Sequence, residues 1–142
     1  MPTRTAEAEW KGDLKKGKGH LKVESGAFES DYDAASRFET GDKTNPEELI
    51  GAAHAGCFSM ALSNDLAQAG HKPESVKTTA EVVLEMKDEG PRVTTIRLKS
   101  KAHVPGIEKD KFMEIANGAK EGCPISKLLA AAKIELDIEL KN

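Results

Sequence analysis

Aromatic side chains are scarce in this chain of 142 residues, 4% of the total with one Trp and four Phe, so rings cannot fill its interior. Ala, Leu, Ile, Val and Met must supply the core, and a core shared between copies would help so short a chain. No charge of one sign dominates: 21 Lys plus Arg stand against 24 Asp plus Glu, a net charge of −3, with both signs spread along the chain. That balance argues against nucleic acid as a partner. No apolar stretch follows Arg4, and the longest mostly apolar segment, Leu49 to Leu62, is interrupted by His54 and too short to span a bilayer. The expected location is the cytoplasm, with no membrane partner. Cysteine is nearly absent as well. In a reducing compartment so widely separated a pair as Cys57 and Cys123 reads as catalytic, redox-sensing or buried thiols rather than a permanent staple.

What is present fits one domain spanning residues 1–142, with 38% hydrophobic and 32% charged content and no internal repeat. The first forty residues suggest short strands around Glu7 to Trp10, His20 to Glu24 and Ser36 to Thr40, separated by turns such as Gly17-Lys18-Gly19. Asn45-Pro46-Glu47-Glu48 then opens a helix. Asn caps it, Pro takes the first helical position, the carboxylates sit at the positive end of the dipole, and Glu48 is spaced for a capping box. Gly70 is its expected stop. Because Ile50 to Phe58 is small or apolar on nearly every side, this helix is expected to be buried all round. Gly51 with Ala55, and Ala52 with Gly56, stack four apart and leave room for a closely packed neighbouring helix.

Downstream, Thr78, Ala80, Val82, Leu84 and Met86 alternate with mostly polar residues as a half-buried strand, and Ile96, Leu98, Ala102 and Val104 continue a second after the turn at Asp88-Glu89-Gly90-Pro91. A helix is expected from about Glu108 to Glu121, stopped by Gly122, with another turn beginning at Cys123-Pro124. Lys133 to Lys141 closes the chain with a period of two. The pattern implies an α+β fold with an antiparallel sheet, one face wet and the other covered by helices.

Each chemically interesting residue has a plain alternative. Cys57, mid-helix among small residues, is either a reactive thiol or a small packed hydrophobe. Cys123 precedes Pro124 at the expected start of a helical turn, where free N–H groups favour a thiolate; otherwise it is a loop thiol with no role. Glu47 and Glu48 serve the helix dipole and cap unless a site needs them, and Arg37 is by default a solvated charge. His54 precedes Cys57 by three and shares its helix face, so His54, Cys57 and Cys123 also admit a Cys₂His zinc site. No phosphate-binding Gly loop, paired-carboxylate hydrolase pattern or Ser nucleophile elbow is present.

The stretch TNPEELIGAAHAGCFSMAL, Thr44 to Leu62, resembles the OsmC/Ohr family, the osmotically induced and organic-hydroperoxide-resistance proteins. EAEWKGDLKKGKG near the start, SRFETG at 36–41, VPGI at 104–107 and GCPISKLL at 122–129 follow in the family's order, and SRFETG is similar to the OsmC branch. The resemblance implies an intertwined homodimer, with antiparallel sheets packed around central helices. It also implies a thiol-dependent peroxidase without metal or organic cofactor, which reduces organic hydroperoxides, and less efficiently hydrogen peroxide, to alcohols. By position, Cys57 matches the peroxidatic cysteine, Cys123 the resolving cysteine, Arg37 the activating arginine and Glu47 the acid of the NPE motif.

The residue types suit that chemistry. A thiolate at Cys57 attacks the peroxide, and its sulfenic acid condenses with Cys123 to a disulfide that a dithiol reductant opens. A cation is needed because burial raises a thiol's pKa, and Arg37 is the natural one, aimed by Glu47. Ten residues separate Glu47 from Cys57, about 15 Å of helical rise, which points to supply of Glu47 from a second chain packed antiparallel through the Gly51, Ala52, Ala55 and Gly56 surface. The alternative from another class is a non-catalytic, stress-related dimer that binds a small apolar ligand between its helices.

Overall fold

The computed structural model describes residues 1–141. By its internal contacts the chain divides into two compact units, Met1–Leu49 and a second that begins at Ile50.

The first unit holds an antiparallel three-stranded sheet of β1 (Ala6–Lys11), β2 (Lys18–Val23) and β3 (Glu29–Tyr32), in that order. Gly19 of β2 pairs with Trp10 on one side and Tyr32 on the other, whose rings lie 5.4 Å apart. A Cβ on Gly19 would run into both rings, so only glycine lets them meet across the strand. Helix α1 (Ala34–Phe38) follows, where the sequence pattern suggested a strand over Ser36 to Thr40. The reason is local. Asp33 caps the helix by accepting from the Ser36 N–H at 2.8 Å, and the Asp33 N–H donates to Ser36 Oγ at 3.0 Å. This reciprocal box outweighs the short alternation of apolar and polar residues.

Helix α2 (Pro46–Gln68) ends as its sequence predicts. Gly70 turns to a φ of 89°, its N–H reaches Ala67 O at 3.0 Å and the His71 N–H reaches Leu66 O at 2.9 Å, which satisfies the last carbonyls. Within the second unit Gly51 comes close to β4 (Ser75–Lys87): a Cβ there would sit 3.4 Å from Ala80 O and Val82 Cγ2. The close approach expected of Gly51 is therefore to a strand and not to a helix. Nor is the helix buried all round, because Ala52, Ala53, Gly56 and Met60 are exposed, Met60 by 76%.

Strand β4 pairs antiparallel with β5 (Gly90–His103). Their register shifts beside Val83 and Leu84, leaving Thr94 unmatched, so Val93 and Ile96 both face inward although they lie three apart. The last strand, β6 (Lys133–Lys141), pairs parallel with β5. An all-antiparallel sheet is thus corrected to a mixed one within the α+β class. The alternation in β6 marks a half-wet strand but carries no direction; the direction follows from the helical connection through α3 (Lys109–Gly122) and α4 (Pro124–Leu128), the kind of crossover a parallel pair needs. Phe58, Leu62 and Leu66 of α2 meet Ile96, Leu98 and Ala102 of β5 and Phe112, Ala116 and Ala119 of α3 in the core of this unit. Glu81, Arg97, Lys99 and Glu135 form ion pairs across the half-exposed outer face of the sheet.

Candidate active site

Within the first unit the capping chemistry assigns separate tasks to two adjacent glutamates. Asn45 Oδ1 accepts the Glu48 N–H at 2.8 Å and so caps α2. The Glu48 carboxylate turns back to the Thr44 hydroxyl at 3.1 Å and the Asn45 amide at 3.4 Å. Glu47 is left free of capping duty. Its carboxylate is buried, and Oε1 accepts both Nε of Arg37 at 3.0 Å and Nη2 at 2.8 Å. The guanidinium is also 5.5 Å from the Phe38 ring centroid. Oε2 of Glu47 is buried and has no partner, so the carboxylate's remaining capacity is unspent. A fork held at two nitrogens has a fixed plane, and the rest of its positive edge is free to meet an anion.

In the second unit α2 and the start of α4 bring the two thiols together. Both cysteines are free, Cys57 half-buried and Cys123 buried, and their sulfurs lie 2.9 Å apart, within hydrogen-bonding distance. Their environments pull in opposite directions. Burial raises the Cys57 pKa, the hydrogen bond with Cys123 adds to that, and the Ile125 N–H opposes it. Burial would also raise Cys123, but the bond from Cys57 and the approach of the Ser126 N–H, the Ser126 hydroxyl and the Ile125 N–H hold it below the ordinary thiol value. These approaches to Cys123 are loose, since no close side-chain cap bond forms at the head of α4. Their sum nevertheless makes Cys123 the more acidic of the two thiols. The Pro124 that follows Cys123 begins α4 at its first turn, which is how so short a helix is aimed at the sulfur.

His54 is buried one turn before Cys57, and its Nε2 lies 2.7 Å from Ser126 Oγ. Burial lowers its pKa. The zinc arrangement of His54, Cys57 and Cys123 is not gathered: among the described residues no group of three or more His, Cys, Asp or Glu side chains stands in metal-holding geometry. Ser126 went unnoticed in the sequence. Its signal was the spacing Cys123-Pro124-Ile125-Ser126, which puts a hydroxyl at the third position of the helix that the cysteine heads.

A family profile described as OsmC-like protein matches residues 39–139. The chain belongs to the OsmC-like family. Peroxiredoxin OsmC of Escherichia coli strain K12 is 50% identical to it over 140 residues, which cover 98% of this chain and 97% of the relative. The organic hydroperoxide resistance protein OhrB of Bacillus subtilis strain 168 is 30% identical over 129 residues, 87% of this chain and 89% of that one. A crystal structure of Bacillus subtilis OhrB superposes with a TM-score of 0.67 at 25% identity, covering 96% of this chain and 98% of the other. In this OsmC-like chain the sites expected from sequence fall into two groups: Arg37 with Glu47, and Cys57 with Cys123. No described helix is long and apolar enough to cross a membrane.

Proposed function

We propose that this chain is a two-cysteine peroxidase for organic hydroperoxides, with hydrogen peroxide a poorer substrate. The observation that carries the reading is the pair of free sulfurs 2.9 Å apart, in a chain half identical to a protein called Peroxiredoxin OsmC. The Cys57 thiolate attacks the hydroperoxide, the O–O bond breaks, and the alkoxide leaves as alcohol after taking a proton. Cys57 is then a sulfenic acid. The Cys123 thiolate attacks that sulfur, the S–O bond breaks, hydroxide leaves as water with a second proton, and a Cys57–Cys123 disulfide remains. A dithiol reductant opens it, becoming a disulfide itself. No resident cofactor enters these steps.

Ionisation of Cys57 needs help, because burial and the neighbouring sulfur both hold its proton on. Arg37 supplies the positive charge, and Glu47 fixes the plane of its fork. In this reading the chain acts as a single OsmC-like domain that forms a homodimer through the exposed apolar face of Ala52, Ala53, Gly56 and Met60. The Arg37–Glu47 pair of one copy serves the Cys57 of the other, a division suggested by the ten-residue spacing of Glu47 and Cys57 along α2. A reducing, cytoplasmic location belongs to the same proposal, since the cycle starts from free thiols.

Steady-state peroxide consumption with a dithiol tests it. Cys57→Ser is expected to abolish turnover while leaving the assembly intact; Cys123→Ser is expected to allow one oxidation per chain and then stall. Turnover that survives Cys57→Ser overturns the reading. Mixed dimers of Glu47→Ala and Cys57→Ser chains then address the division of labour, because supply across the dimer leaves one wild-type site, about half the normal rate. A mixed dimer no faster than either parent contradicts it.

A further inference from the structure

Asn45 is half-buried at the head of α2, and both ends of its amide are engaged. Oδ1 accepts the Glu48 N–H at 2.8 Å, which fixes the amide's orientation, so the atom 3.1 Å from Ser36 O is Nδ2, and it donates. Capping accounts for Oδ1 alone. The acceptor shows what Nδ2 does. Helix α1 closes with the Glu39 N–H on Ala35 O at 2.9 Å, so the next carbonyl, that of Ser36, takes its donor from outside the helix. That carbonyl shares one rigid peptide plane with the Arg37 nitrogen. Two residues beyond Asn45, Glu47 holds Nε and Nη2 of the same arginine at 3.0 and 2.8 Å. A second tie runs alongside: Lys43 Nζ lies 2.6 Å from Oδ2 of Asp33, the side chain that caps α1. Ser36 is buried, whereas the Arg37 side chain is 38% exposed and, left untied, would sweep through its rotamers.

We propose that Asn45 is a positioning residue for Arg37: its amide pins the peptide from which that side chain springs while Glu47 pins the fork, so the first turn of α2 holds the arginine at both ends. The inference rests on the reading that Arg37 helps to ionise Cys57. Asn45 acts only through the arginine. A guanidinium whose root can swing meets the thiolate for less of the time, and Cys57 then keeps its proton to higher pH. The tie between Lys43 and Asp33 still restrains the other end of α1, so losing the amide loosens the arginine without freeing it.

The test is the rate at which excess cumene hydroperoxide first oxidises the fully reduced protein, with no reductant present, followed across pH by acid quench and mass spectrometry of Cys57. Asn45→Ser keeps the cap, since Ser and Asn cap about equally well, but its hydroxyl ends one bond short of the amide nitrogen. Its urea midpoint is expected to match wild type, while its rate–pH curve moves up by about half a pH unit and its rate at pH 7 falls about threefold, within the reach of one neutral hydrogen bond. Asn45→Asp, which also caps and also lacks the donor, is expected to show at least that shift and decides the matter if the serine variant fails to fold. Arg37→Ala is expected to shift the curve further, and Arg37→Ala with Asn45→Ser to be no slower than Arg37→Ala alone, because Asn45 acts only through the arginine. A wild-type curve in Asn45→Ser beside a shifted one in Arg37→Ala overturns this inference alone, as does a double variant slowed by the product of the two single effects. A wild-type curve in Arg37→Ala refutes instead the assignment of the arginine to Cys57.

Discussion

Gly56→Arg separates what one chain needs from what two copies need. Within a chain the position is exposed, and a Cβ added there meets no atom within 4 Å. Replacing an interior helical glycine by arginine gains about 0.8–1 kcal/mol of helix propensity, so the isolated chain should be slightly stabilised. Across a two-fold interface the sign reverses. The symmetry brings two new guanidinium groups into one contact, and burying an unpaired charge costs about 3–5 kcal/mol for each. The propensity gain is common to free and paired chains and cancels from their difference, leaving about 6–10 kcal/mol against association. At about 1.4 kcal/mol per tenfold, Kd weakens by at least ten-thousandfold. Sedimentation velocity at micromolar concentration should find wild type dimeric and the variant monomeric, with the helical circular dichroism of the variant undiminished. A variant that remains dimeric, or a wild type that sediments as a monomer, refutes the assignment of this apolar face to self-association.

Two titrations extend the reasoning to the buried groups. Thiolate absorbance near 240 nm should shift to higher pH for Cys123 in Cys57→Ala, which removes the bond that most lowers it, and to lower pH for Cys57 in Cys123→Ser, which removes the neighbouring sulfur's bond and charge; unmoved titrations contradict this coupling of the two thiols. His54 has its folded pKa depressed by burial, so the unfolded chain binds its proton more readily and the stability due to the neutral ring is present above about pH 6.5 and lost as pH falls below it. Urea unfolding at pH 7.5 and 5.5 should therefore show a smaller acid-side loss in His54→Gln than in wild type. His20, whose pKa is raised by its bonds to Asp31 and Glu29, contributes with the opposite sign but equally in both proteins, and so drops out of the comparison. Equal losses in the two proteins would contradict a buried neutral His54.

The sequence was most readable where one local rule acted without competition. The caps of α2, the stop at Gly70 and the alternation of β6 each follow from a few neighbouring residues, and the structure keeps them. The family motif points to Arg37 as a site residue, while alternation at Ser36 to Thr40 suggests a strand around it; the Asp33 and Ser36 capping box instead winds the segment into α1. The direction of β6 depends on a crossover that no short window contains. Gly51 and Gly56 look alike in sequence, and only tertiary packing tells that the first lies against a strand and the second stands open. The closeness of Cys57 and Cys123, 66 residues apart in sequence, is likewise a property of the fold. Ser126 stands 72 residues from His54 in sequence, so its bond to that buried ring is likewise visible only in the fold.

The redox pairing of the two sulfurs is open to a direct measurement: intact mass of the fully reduced protein under non-reducing conditions after one equivalent of cumene hydroperoxide, with hydrogen peroxide in parallel and peptide mapping of the product. The expected result is rapid loss of two hydrogens per chain, mapped to a Cys57–Cys123 bond and faster with the organic peroxide. Both thiols still free after exposure to either peroxide would contradict it, and would leave a family fold whose adjacent sulfurs perform no such chemistry.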